Sequence, residues 1–392
     1  MTVKSAHRRT SRLAPLALLA AGALALTACS GSSASDTTTG ATSDTGAAAT
    51  SADATGGAVP AGVTEVVEQA TAKVTEFPGP TEAVAAPEGK RVMIIVCGSI
   101  GIGCVLGADG AKDAAEALGW EATITDGKLD PTVQNSLIKQ AVTDGYDGVV
   151  LTSMNPALVA GGLADAKEAG IPVVSVYIPH YDGAPEVDGY VTSDHTEGGK
   201  IAADWMIADS QGAANVLVLD DPAYPETTER NDAMVDEFEA NCPGCTVKRQ
   251  EFSAASMAQQ LASQVSASLG QDDELDYVWA PYDAAGPFVQ QGIQQAGKTK
   301  AVKFVSAEGD PTAADAVRGG TQAADLVTAD DYMGWVSIDL LARTFAGVEH
   351  DAQATVPQRL LTADNISDVP SGDTWSLDGV DYAAAFKKLW GK

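Results

Sequence analysis

Several short stretches carry residue types at spacings that chemistry uses. Gly292-Ile-Gln-Gln-Ala-Gly297-Lys298-Thr299 fits GxxxxGK[ST], in which backbone amides and a lysine hold phosphates. That chemistry needs a strand before the loop and a helix after it. Here a helical pattern precedes the motif and a strand pattern follows it, so Gly297 reads as the left-handed residue that stops a helix. Gly101-Ile-Gly103-Cys104-Val-Leu-Gly107 follows a strand, and Asp126 stands where a dinucleotide fold places its ribose acid. The spacing is GxGxxxG rather than GxGxxG, which leaves an exported dinucleotide-dependent oxidoreductase as a lesser alternative. Cys97-Gly-Ser99-Ile-Gly101 lacks the first glycine of the nucleophile elbow. His180, His195 and His350 are too far apart for a zinc helix motif and read as surface or loop residues. No catalytic constellation, metal or cofactor is expected, and the chain does not read as an enzyme.

The compartment narrows the chemistry further. Residues 1–12 are basic, and Leu13 to Ala28 form an apolar run shorter than the ~20 residues that span a bilayer. The run ends in Leu26-Thr27-Ala28-Cys29, a lipoprotein-type box, so residues 1–28 are expected to be a signal peptide and Cys29 to carry lipid. Residues 29–60, rich in Ser, Thr, Ala, Gly and Asp, cannot bury enough apolar surface to offset ordering and read as a flexible tether. The chain has 392 residues and a formal charge of −29; without residues 1–28 it holds 20 basic residues against 53 acidic ones. Such a surface repels phosphate backbones, which excludes nucleic acid as a partner. The remaining membrane contact is the lipid anchor, on an extracytoplasmic protein. Outside the cytoplasm the four other cysteines sit in an oxidising medium. Cys242-Pro-Gly-Cys245 follows a helix instead of opening one, so it reads as a structural turn staple. Cys97 and Cys104 flank a glycine-rich loop and are expected to bridge, with free buried thiols as the alternative.

The elements that hold these residues alternate. Strand patterns over 91–97, 121–125, 148–152 and 171–177 are separated by helical patterns over 104–118, 131–144 and 157–169. After Ser193-Asp194 the alternation restarts. Strands at 215–220, 246–252, 276–281 and 301–307 are interleaved with helices at 197–208, 227–240, 256–269 and 284–296. Apolar strands between amphipathic helices mean parallel sheets covered on both faces, and right-handed crossovers then give two doubly wound α/β lobes. Ligands in such sheets bind beyond the carboxyl ends of the strands. Residues 62–90 form a helical stretch of unassigned role ending in Phe77-Pro-Gly-Pro80.

An ordered set of short pieces then carries a family resemblance. It comprises Asp109-Gly110-Ala111, Asp126…Asp130…Gln134…Ile138, Asp147-Gly148-Val149-Val150, Gly170-Ile171-Pro172-Val173, Ser193-Asp194…Gly198-Gly199, Arg230, Tyr282-Asp283 and Ala296-Gly297-Lys298. Over about 91–362 the chain resembles the type I periplasmic binding proteins of the ribose-binding branch, the solute receptors of ABC importers. The resemblance implies three hinge crossovers near Ser193, Thr328 and Leu361. It puts 61–193 plus 329–361 in one lobe and 194–328 plus 362–392 in the other. It also implies a monomer that traps a small solute between the lobes, closes by hinge bending and presents the closed form to a permease.

In the second lobe Arg230 matches the family's ligand-binding arginine, Phe252 a stacking aromatic and Glu308 a hydroxyl-accepting aspartate. Thr328 matches a polar hinge position, Tyr282 stands at an asparagine site, and Tyr224 flanks the pocket. In the first lobe the set is Ser99, Ile100, Gly101, Cys104 and Tyr177. Here the family's stacking aromatics are replaced by Gly103 and Cys104, and its Asp-Arg pair by Tyr177 and Ile178. Asp283 reads as a helix cap. One polar wall facing one small, apolar wall suits a sugar-like or polyol solute; a nonsugar ring compound, or a sensor role on the same fold, is the alternative.

Overall fold

The computed structural model describes residues 59–392. The leader, Cys29 and nearly all of the expected tether lie outside the described residues. After α1 (Ala61–Thr71) the chain alternates as far as β4: β1 (Arg91–Val96), α2 (Ile102–Leu118), β2 (Glu121–Asp126), α3 (Pro131–Thr143), β3 (Gly148–Thr152), α4 (Ala160–Ala169) and β4 (Val173–Val176), with β5 (Gly189–Ser193) following directly without a helix. A second run follows: α5 (His195–Asp209), β6 (Asn215–Asp220), α6 (Pro225–Asn241), β7 (Thr246–Glu251), α7 (Met257–Gln271), β8 (Tyr277–Trp279), α8 (Gly286–Gln295), β9 (Lys303–Glu308), α9 (Pro311–Gly319) and β10 (Ala324–Thr328). The chain closes with α10 (Asp330–Ala346), β11 (Gln353–Val356), β12 (Gln358–Thr362) and α11 (Tyr382–Leu389).

These strands form two six-stranded sheets, ordered β11-β5-β4-β3-β1-β2 and β12-β10-β9-β8-β6-β7. All pairings are parallel except β10 with β12. Every residue of β3, β4 and β5 is buried, because helices cover both faces and leave no polar alternation. The edge strands β2 and β7 are more exposed, with no fully buried residue in either. Asp130 caps α3, accepting from the Thr132 amide at 2.8 Å ahead of Pro131. Two helix pairs approach at glycines. A Cβ on Gly110 of α2 would meet the Asp331 carbonyl of α10 at 2.1 Å, and one on Gly199 of α5 would meet the Arg230 carbonyl of α6 at 2.1 Å.

Two short passes between the sheets fall at Asp194, between β5 and α5, and at Ala329, between β10 and α10. The third differs from the expectation near Leu361: Leu361 lies inside β12 and pairs with Asp325, and the chain changes sheets at Pro357 alone. A proline between two edge strands fits, since it can donate to neither ladder. Both terminal segments also depart from the expected lobes. Helix α1, expected on the first lobe, packs on α5 and β12 of the second. Residues 369–390, expected on the second, return to the first, where Trp375, Phe386 and Trp390 join its core. The cause is a stack of rings: Trp335 of α10 lies against Trp390 at 5.6 Å, with Phe386 5.5 Å from Trp390 and Phe77 5.2 Å from Phe386. Arg359 on β12 ties the segments together. It donates to Thr71 O at 3.2 and 3.1 Å, to Asp368 at 2.7 Å and to Asp378, whose other oxygen accepts from the Val74 amide at 2.8 Å.

Candidate functional site

Left-handed backbone at residues other than glycine concentrates where strands end. Lys128 and Leu129 follow β2, Ser153 follows β3, Tyr177 (φ 76°) follows β4, and Glu308 (φ 109°) ends β9. Such conformations cost ~1–3 kcal/mol each and persist where surroundings impose them, typically at binding sites. They mark the carboxyl edges of the two sheets as the region of interest.

On the first lobe the loop after β1 is closed by the Cys97–Cys104 disulfide, with Cα atoms 6.0 Å apart. Ser99 turns toward Asp126, which accepts from its amide at 3.0 Å, from its hydroxyl at 2.9 Å and from the Lys128 amide at 2.8 Å. These bonds hold the Asp126 carboxyl below its ordinary range. Asp126 is thus a brace for the loop. Ile100 is 78% exposed, and the Gly101 amide turns back to Gly98 O at 3.1 Å. Cys104 is buried, and its carbonyl accepts from Thr152. Tyr177 is buried, and its hydroxyl donates to Gly103 O at 2.7 Å.

At the hinge the structure corrects the reading of His195 as a surface or loop residue. His195 opens α5 and is only 5% exposed. Its Nδ1 faces Arg230 Nη2 at 3.0 Å, and its Nε2 lies 2.9 Å from Thr192 Oγ1 and 3.3 Å from Tyr177 O. A guanidinium only donates, so Nδ1 accepts and Nε2 carries the proton. Burial and the neighbouring Arg230 charge depress the imidazole to about 3, so it is neutral. No sequence spacing signals this residue; only its position next to the crossover could have drawn attention to it.

Arg230 is itself 3% exposed. Nη1 donates to Pro281 O at 2.8 Å, Nη2 to His195, and Nε has no partner. It makes no ion pair with Glu226 or Glu229; Glu229 instead accepts from Thr196. Its charge faces Glu308, Glu226, Asp283 and Asp325. Beside it Tyr282 donates to Asp221 at 2.8 Å, with Phe252 5.6 Å and Tyr224 6.0 Å from its ring. Four of the six expected second-lobe residues, Arg230, Tyr282, Phe252 and Tyr224, therefore cluster. Asp283, expected as a helix cap, instead accepts from Ser306 and from the Gly309 and Asp310 amides at 2.7 Å, bracing the turn that carries Glu308. Thr328 donates to Asp330 at 2.8 Å.

The lobes meet at this edge. Asn155 Nδ2 of the first donates to Ala223 O of the second at 3.4 Å. Carboxylate oxygens of Asp330, Glu308 and Asp310 lie 3.8, 3.8 and 3.9 Å from the point a Cβ on Gly103 would occupy. Burial and mutual repulsion raise these groups: Asp310 reaches about 7, Asp283 about 6, while Glu308, Asp325 and Asp330 go well above the usual range. A separate cavity of about 440 Å³ lies away from this edge, between residues 78–82, α10 and β11. The phosphate-loop look-alike takes the other reading: Gly297 has φ 71° and ends α8, with the Lys298 amide bonding back to Ile293 O at 3.1 Å. Cys242 and Cys245 are bridged at the end of α6, where Cys245 Sγ accepts from the Ala214 amide.

Two wound lobes joined by a hinge, with polar groups gathered where their strand ends face each other, define a two-lobed binding protein. Residues 104–348, more than half of the chain, match the model of the periplasmic binding protein domain. The chain belongs to this family, and its fold is that of the type I periplasmic binding proteins. The ribose import binding protein RbsB of Escherichia coli is 23% identical over 261 residues, covering 64% of this chain and 84% of that protein. The Bacillus subtilis protein of the same name is 28% identical over 123 residues, 31% of this chain and 39% of its own. Among solved structures, an ABC sugar transporter subunit from Rhodobacter sphaeroides superposes with a TM-score of 0.64 at 24% identity, covering 71% of this chain and 99% of that one. An Agrobacterium vitis solute-binding protein with bound allitol gives 0.65 at 21% identity, covering 71% and 97%. The family and these relatives are binding proteins, not enzymes, and the family implies an extracytoplasmic location. Among the described residues no helix is long and apolar enough to cross a membrane.

Proposed function

We propose that the chain is the solute-binding component of an ABC importer, lipid-anchored through Cys29, that takes a small sugar-like or polyol solute between its lobes and delivers it to a permease. The observation carrying this reading is Arg230: a buried guanidinium held by Pro281 O and His195 with its Nε unpartnered, beside the Tyr282, Phe252 and Tyr224 rings. A fixed donor beside apolar rings suits a ligand with hydroxyl oxygens on one side and carbon on the other. The solute touches both lobes only when they are shut, and that difference in affinity drives closure. Relatives named for allitol, tagatopyranose and D-allose support the solute class. The departures at Cys104 and Tyr177 set this site apart from a plain ribose receptor. A thermal-shift screen of sugars, polyols and small aromatic compounds, followed by calorimetry, tests the reading. For the solute found, Arg230→Ala weakens binding more than ten-fold; unchanged affinity removes Arg230 from the site. Cys29→Ser releases the mature protein from the membrane fraction if the anchor is lipid.

A further inference from the structure

The cleft seam holds more carboxyl groups than a neutral solute needs. Oxygens from Glu308, Asp310 and Asp330 converge within 3.9 Å of one point at Gly103. Asp283 and Asp325 stand behind them. The Asp330 oxygen at that point, Oδ2, is also buried without a hydrogen-bond partner, on a residue 2% exposed. Its Oδ1 is already used by Thr328. The positive groups in reach are few. The first turn of α2 offers about half a charge from its amides, and Arg230 forms no ion pair within 4 Å while keeping Nε free. Tyr177 adds a hydroxyl beside Asp330, and its short bond runs to Gly103 O at 2.7 Å, so it can serve only one of the two at a time. A divalent cation does not suit the arrangement: among the described residues no group of three His, Cys, Asp or Glu side chains is set to hold a metal. A buried carboxylate without a partner is costly, and one mobile positive charge relieves it.

Building on the solute-binding reading, we propose that the ligand is a hydroxylated ring or chain bearing a protonated amine, an amino sugar or amino polyol, whose ammonium group seats among Asp330, Glu308 and Asp310 at the Gly103 seam while Arg230 Nε takes one of its oxygens. An ammonium donates three hydrogen bonds and accepts none, which matches a pocket of acceptors. The raised carboxyl groups fit this: at neutral pH Asp310 and its neighbours share protons that an ammonium replaces.

The test uses matched pairs on the mature protein at pH 7.5: D-glucosamine with D-glucose, D-galactosamine with D-galactose, and 1-amino-1-deoxysorbitol with sorbitol. Thermal shift and calorimetry are expected to show an amine binding at least ten-fold more tightly than its hydroxyl partner, with protons released on binding. Asp330→Asn, which keeps an acceptor for Thr328, is expected to cut that preference at least ten-fold. Asp310→Asn gives a second reading should the first variant fold poorly. Neutral partners binding as well as the amines overturn this inference alone. If neither class shifts the melting temperature, the solute reading falls with it.

Discussion

Substituting His195 with Gln isolates the hinge network. The imidazole is held neutral, near 3, whereas in the unfolded chain it titrates at its ordinary value of 6.5. A folded value below the unfolded one means that the unfolded state binds the extra proton as pH falls. This site therefore costs no stability above about pH 6.5 and progressively more from there down toward pH 3. One proton is worth ~1.4 kcal/mol per pH unit, so moving from pH 7.5 to 5 removes ~2 kcal/mol through His195 alone. Gln does not titrate, and its amide offers a donor for Tyr177 O and an acceptor for Arg230. The buried carboxyl groups pull the other way, because their folded values are raised and the folded state gains from acid. Those contributions are common to both proteins and cancel in the difference. Urea unfolding of each at pH 7.5 and pH 5 is the assay. The variant is expected to gain ~2 kcal/mol relative to wild type at the lower pH. A difference that stays constant between the two pH values refutes the neutral, buried imidazole and with it the Arg230 tether.

Two further perturbations probe the frame around the site. Replacing Cys97 and Cys104 together with Ser opens the short loop at β1 and is expected to cost ~2–3 kcal/mol in urea unfolding. Thiol counting by intact mass on the unreduced protein should find all four of Cys97, Cys104, Cys242 and Cys245 blocked. An unshifted midpoint, or free thiols, removes the brace from the account. Arg359→Met leaves Asp378 buried without its cation, and loss of one partner from such a pair costs ~3–5 kcal/mol. A variant as stable as wild type means that the terminal segments are held by their aromatic stack alone.

The parts of the fold legible in the sequence are those where burial writes a continuous pattern. Val92 to Val96 and Gly148 to Thr152 are unbroken apolar or small runs because both faces of each sheet are covered. β5, with Gly189, Thr192 and Ser193, lacks that signature although every residue is buried. Its Thr192 is spent on the hinge, donating to Tyr177 O. Arg230 drew attention in the sequence because a lone arginine in the first turns of a helix at a strand end matches a family position, and the structure buries it at the strand ends. His195 did not, since its role depends on an arginine thirty-five residues away that only the fold brings within 3.0 Å. The terminal segments escaped for a similar reason. Trp335, Phe386 and Trp390 are ordinary amphipathic-helix residues until α10 and α11 lie together, and nothing in their spacing says which lobe they will cover.

Those terminal segments bear on how the lobes move. Three crossings at Asp194, Ala329 and Pro357 are one residue long, which suits bending. The other two passes are held by side chains. Arg359, on a second-lobe strand, grips Asp378, in a segment that goes on to pack on the first lobe. Breaking that buried pair in every transport cycle would cost several kcal/mol, more than a hydroxyl or two of a solute returns on closure. Closure of the kind proposed would therefore pivot close to Arg359, which lies in register with Val327 and, one strand further, with Glu308 of the cleft edge, so that the pair survives.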